Sequence, residues 1–107
     1  MTQSETPEVD LAQVADAGRR AVVVDVREPD EYAGGHVPGA RLMPMGRLAS
    51  TLGDLDRSAP IYVICASGNR SKAMTDVLRG AGFDAHSVAG GTRAWIESGR
   101  PVETGLS

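Results

Sequence analysis

Apolar residues along this chain fall into two patterns. In "AVVVDV", Ala21 to Val26, and in "PIYVIC", Pro60 to Cys65, they run without alternation. Short β-branched runs of that kind are expected of strands covered on both faces. "AHSVAGG", from Ala85, reads as a further strand and turn, and Arg41 to Met43 as a short strand confined by Pro38, Gly39 and Pro44. Elsewhere the apolar positions recur at helical spacing. Leu11, Val14 and Ala15 share one face of "LAQVADAG", which Asp10 is placed to cap and Gly18 to end. Pro29 suits a first helical turn that the Gly34-Gly35 pair stops. Leu48, Leu52 and Leu55 keep helical spacing, and Ala73, Met74, Val77, Leu78 and Ala81 form an apolar stripe ending at Gly80 or Gly82. "TRAWIESG" reads as a last short helix.

Strands alternating with helices at this rhythm predict an α/β fold, a parallel sheet with helices on both faces. Ligands of such sheets sit beyond the carboxyl ends of the strands. Cys65 and the Asp25–Arg27 stretch both fall at such ends.

The 107 residues suit a single domain, 1–107, with a core over about 9–102 and loose polar ends at Met1–Pro7 and Glu103–Ser107. A formal net charge of −3 gives no support for a nucleic-acid partner, so any positive potential must be local. One cysteine forms no intramolecular disulfide and no multi-cysteine zinc site. The opening "MTQSETPEVD" does not read as a signal peptide, and no apolar run approaches the ~20 residues that span a bilayer. The expectation is a cytoplasmic protein without a membrane partner.

That one cysteine sits in "ICASGNRSKA", between an apolar run and a small-residue turn. If the strand ends at Cys65 and a helix starts near Arg70, "ASGN" makes a tight turn in which Gly68 is free to adopt positive φ. Such a turn aims consecutive N–H groups at one point, and the helix adds its positive end. Those donors favour thiolate over thiol. Neither His36 nor His86 is adjacent in sequence, so a general base is not built into the loop. A thiolate needs none for exchange at sulfur.

At these residues the chain resembles the single-domain rhodaneses, a sulfurtransferase family. "DVREPDEYAGGHVPGA" (Asp25 to Ala40) is similar to the family's first signature, "CASGNRS" (Cys65 to Ser71) to its active-site loop, and "AGGTRAWIESGRPV" (Ala89 to Val102) to its C-terminal signature. The resemblance runs over roughly Val9 to Val102. It implies a rhodanese-like three-layer fold of about five mainly parallel strands, and a cysteine persulfide mechanism. Cys65 would take sulfane sulfur from a donor such as thiosulfate, expel sulfite, and pass the sulfur to a thiol or cyanide. The loop Ala66, Ser67, Gly68, Asn69, Arg70 and Ser71 would bind substrate, its amides stabilising the terminal sulfur. Arg70 would either hold the anion or brace the loop. No metal or organic cofactor is implied, because the protein carries the sulfur covalently.

Two other readings share Cys65. In one, the chain is a persulfide carrier that exchanges sulfur only with a partner protein. In the other, it is a cysteine phosphatase or arsenate reductase; those families space Cys and Arg by five residues, whereas only Ala66, Ser67, Gly68 and Asn69 intervene here. A shorter loop makes a narrower ring, suited to one sulfur rather than a tetrahedral oxyanion. Structural roles are expected for most other candidates. Asp25 and Arg27 suit an ion pair or loop hydrogen bond, His36 a turn, and His86 a strand position. Trp95 suits packing, Met43 and Met45 core filling, and Gly90 and Gly91 backbone geometry. Arg41, Arg47 and Lys72 are candidates for a positive rim around the site.

Overall fold

The computed structural model describes residues 6–106. The chain runs β1 (Glu8–Val9), α1 (Leu11–Ala17), β2 (Val22–Asp25), α2 (Pro29–Gly34), β3 (Arg41–Leu42), α3 (Leu48–Thr51), β4 (Ile61–Ile64), α4 (Asn69–Gly80), β5 (Ala85–Val88) and α5 (Gly91–Glu97). The five strands form one sheet in the order β1-β5-β4-β2-β3, and every pairing is parallel. Parallel strands put all their carboxyl ends on one edge of the sheet. Cys65, the Asp25–Arg27 turn and the Gly90-Gly91 turn therefore meet there, with Cys65 behind the central strand.

Local chemistry accounts for the elements. Asp10 accepts the Gln13 amide while Gln13 reaches back to the Asp10 amide, a reciprocal cap for α1. Glu28 and Glu31 do the same for α2, with Pro29 in its first turn. Strand side chains alternate between the two faces. Ile61, Val63 and Cys65 enter one core cluster with Leu48 of α3 and Leu78 of α4. Ile64 and half-buried Tyr62 enter the other, with Val14, Tyr32 and Trp95 of α1, α2 and α5. The uninterrupted apolar runs are thus strands covered on both faces, each fully buried aliphatic side chain contributing about 1.5–3 kcal/mol.

Several expectations need correction. Ala73 and Val77 are exposed; the buried face of α4 is Ser71, Thr75 and Leu78, with Met74 and Ala81 half-buried. The helix is rotated toward polar residues because Ser71 bonds Ser87 of β5 at 2.7 Å. Leu48 and Leu55 are buried, but their segment is a short helix between tight turns at Met45–Arg47 and Leu52–Asp54. Met45 is exposed rather than core-filling, while Met43 is buried. The ends are also less loose than expected. Pro7 accepts the Ser87 amide, and Glu103 exchanges main-chain hydrogen bonds with His36 at 2.8 and 2.9 Å. Met1–Glu5 and Ser107 lie outside the described residues.

Candidate active site

The central strand delivers Cys65 to the carboxyl edge with only 1% of its surface exposed. Gly68 then takes φ 116°, in the left-handed region, which turns the chain back and starts α4 at Asn69. The first N–H groups of a helix lack intrahelical partners and point outward from its end. Here the Gly68 and Ser71 amides donate to Cys65 Sγ at 3.1 and 3.3 Å. Ser71 is fixed in turn by its hydroxyl, which bonds the Gly68 carbonyl at 3.1 Å as well as Ser87 Oγ.

Burial pushes the Cys65 thiol up, but hydrogen bonds from Ser71, Gly68 and Ser67 outweigh it, and the net shift is downward. The Ser71 hydroxyl counts among those donors, yet its single proton has competing acceptors in Gly68 and Ser87. The main-chain amides are the fixed part of the cradle. Asn69 and Arg70 supply the first two amides of the helix, at the same end. Ala66 contributes its carbonyl to bracing instead.

That bracing comes from the first turn of α5. The Thr92 amide donates to the Cys65 carbonyl at 2.8 Å, and the Arg93 amide to the Ala66 carbonyl at 3.0 Å. Gly91 makes the approach possible: a Cβ there would lie 2.6 Å from both carbonyl oxygens, and its φ is 63°. Glycine was expected to serve backbone geometry at this position, but nothing in the local sequence pointed to the carbonyls it meets.

Arg70, a candidate from the sequence, has a partner that its own neighbourhood in the chain does not show. Its guanidinium grips Glu31 of α2 through two parallel bonds of 2.9 Å. The Arg70 hydrogen bond holds the Glu31 carboxyl down to about 2. Glu31 was not singled out from the sequence, since 39 residues separate it from Arg70. Asp25 and Arg27 form the buried pair expected of them, with bonds of 2.8 to 3.2 Å between side chains, and Arg27 also reaches the Gly35 carbonyl at 2.8 Å.

Two of the three residues expected to form a positive rim, Lys72 and Arg41, are engaged by other groups. Lys72 pairs with Glu8 at 3.5 Å. Arg41 bonds the Asp54 carbonyl and lines a groove elsewhere on the molecule. Arg27 and Arg93 are the cations lining a depression of about 350 Å³ beside Ala66. His36 is buried, its Nδ1 2.8 Å from the Tyr32 carbonyl and its ring stacked on Tyr32. His86 pairs with Asp84. Trp95 is buried, donating its indole N–H to the Pro101 carbonyl. Among the described residues, no group of three His, Cys, Asp or Glu is arranged to hold a metal ion. The arrangement offers a buried sulfur on which main-chain amides at the start of α4 converge, a setting that favours the thiolate.

Comparison with known proteins agrees with this chemistry. The rhodanese-like domain family matches residues 9–98. A Pseudomonas putida protein named thiosulfate sulfurtransferase GlpE is 41% identical over 85 residues, covering 78% of this chain and 76% of that protein. Its namesake from Pseudomonas entomophila is 39% identical over 100 residues, covering 92% and 88%. A crystal structure of a rhodanese-related protein from Thermoplasma volcanium superposes with a TM-score of 0.86 at 34% identity, covering 94% of this chain and 99% of that one.

Proposed function

This chain belongs to the rhodanese-like domain family, and from that premise we propose that it is a sulfurtransferase working through a persulfide on Cys65. The Cys65 thiolate attacks the outer sulfur of a donor such as thiosulfate. A new S–S bond forms, the donor's S–S bond breaks, and its electron pair leaves with sulfite. The acceptor, a thiol or cyanide, then attacks the outer sulfur, and the Cys65 thiolate is released. No net electrons enter or leave, so no cofactor is required. The chain acts as one domain, 1–107, with its core at about 9–102, and the cytoplasm, where a lone thiol stays reduced, is its compartment.

The observation that carries this reading is the convergence of the Gly68 and Ser71 amides on Sγ. Those donors, joined by the outward amides of Asn69 and Arg70, stabilise negative charge on Cys65 and then on the terminal sulfur of the persulfide. Arg70 is positioned by Glu31 and serves the loop first as a brace.

Intact mass after thiosulfate treatment tests this directly. One sulfur atom should be gained, removed by an added thiol, and never gained by Cys65→Ser. Loading only from a persulfidated protein would make the chain a carrier, and aryl phosphate turnover at comparable rate would favour a phosphatase. The rate of iodoacetamide alkylation should rise through a midpoint below that of an ordinary thiol. An ordinary or higher midpoint would remove the physical basis of the proposal.

A further inference from the structure

A second hollow lies away from the sulfur. A groove of about 600 Å³ lies where α1, α5 and the start of β2 meet. Val14, Val23, Val37 and Trp95 supply apolar wall, and they pack with the cluster under α1, α2 and α5. Cys65 belongs to the cluster on the other face of the sheet, at the other end of the strands. The groove is therefore a separate place, and the sulfur chemistry makes no use of it.

Its charge is unusual for a chain of net charge −3. Arg19, Arg41 and Arg100 all line it, and among the described residues no carboxylate does. Three segments far apart in sequence deliver them: the turn after α1, the first residue of β3, and the segment after α5. Among the described residues none of the three is in an ion pair. Arg41 spends one donor on the Asp54 carbonyl, and Arg100 lies over the Trp95 ring at 5.5 Å. Most of their donors remain for an anion, and guanidinium matches carboxylate or phosphate by paired bonds.

An apolar hollow of ~300–1,000 Å³ with a few convergent polar groups is the ordinary form of a small-molecule site. From the groove's lining and its uncompensated arginines, we propose that it binds a small amphipathic organic anion, with the apolar body against Val14, Val23, Val37 and Trp95 and the anionic head among the arginines. The same chemistry is offered by a free carboxylate and by the anionic headgroup of a lipid surface. The arginines line one concave groove rather than a flat face, which favours the free molecule.

Trp95 is the chain's one tryptophan, so its fluorescence reports on the groove. Decanoate should change it saturably, one molecule per chain, and 1-decanol should bind at least about tenfold more weakly, as loss of charge-assisted bonds requires. The double variant Arg19→Gln/Arg41→Gln should lose about tenfold or more in decanoate affinity while 1-decanol binding and loading of Cys65 by thiosulfate stay unchanged. Four results overturn the proposal: no saturable response to decanoate, equal binding of 1-decanol, undiminished binding by the variant, or a response to phosphatidylglycerol vesicles alone. Because the site does not involve Cys65, failure here leaves the sulfur transfer reading untouched, and failure there leaves this one.

Discussion

Two arginine–carboxylate pairs stand near the candidate site, and they differ in almost every physical respect. Asp25 and Arg27 are two residues apart, with side chains 0% and 7% exposed. Glu31 and Arg70 come from different helices and are about one-third exposed, 34% and 33%. Both are two-pronged, with contacts near 2.9 Å. Geometry is alike; solvent is not. A buried charge that loses its partner cannot recover its water, whereas a half-exposed one can. The first pair is therefore part of the fold, tying the turn after β2 to the Gly35 carbonyl. The second is an adjustable link between α2 and the loop around Cys65.

The largest expected effect comes from breaking the first pair. Arg27→Leu strands the Asp25 carboxylate in the interior and removes the donor to Gly35. Stability in urea should fall by about 3–5 kcal/mol, a large share of what a domain of this size possesses. A loss under about 1 kcal/mol would mean that the two pairs are energetically equivalent.

Next comes Gly91→Ala, which presses a methyl group on the carbonyls that hold the loop. With strain at positive φ added, about 1–3 kcal/mol should be lost. The alkylation midpoint of Cys65 should rise toward that of an ordinary thiol as the amides are pushed off Sγ. An unchanged midpoint would detach the α5 brace from thiolate stabilisation.

Glu31→Gln should cost less than about 1 kcal/mol, because solvent replaces much of what the pair supplies and Gln still accepts the Glu28 amide. Its consequence should instead be kinetic. Arg70, released from its carboxylate, is free to meet the substrate anion, so the KM for thiosulfate should fall. The pair's pH dependence has a definite sign. The Arg70 hydrogen bond holds the folded carboxyl down to about 2, below its ordinary value of 4.5, so the contribution is complete above the unfolded value and is lost as pH falls toward about 2. A carboxyl NMR titration placing Glu31 at an ordinary value would show that the link is not formed in solution.

The smallest effect belongs to Thr75, whose buried hydroxyl lacks a hydrogen-bond partner among the described residues. Thr75→Val keeps the shape and removes an unsatisfied group, so stability should hold or rise by up to about 1 kcal/mol. Destabilisation would indicate a bound water that satisfies it.

The contrast between the pairs also explains what could be read from the chain. Asp25 and Arg27 share a strand end and a turn, so their pairing is a local matter and was foreseen. The same holds for the Asp10 cap, the Pro29 start of α2 and the uninterrupted runs of β2 and β4. The edge strand β1 has only two residues and shows no period. The apolar stripe expected on α4 is rotated from its buried face, because that face includes Ser71 and Thr75, which satisfy or tolerate burial through tertiary packing.

By itself the sequence determined the alternation of strands and helices, the single thiol and the glycine that turns the chain after it. Those features depend on residues close together along the backbone, where sterics and hydrogen-bonding reach are short. Only the tertiary structure decided that Glu31 grips Arg70, that Gly91 lets α5 hold the Cys65 carbonyl, and that three distant arginines share one groove. Each of these joins segments whose separation carries no local signal. Chain folding sets them together because the parallel sheet gathers its strand ends on one edge and packs its helices on two faces.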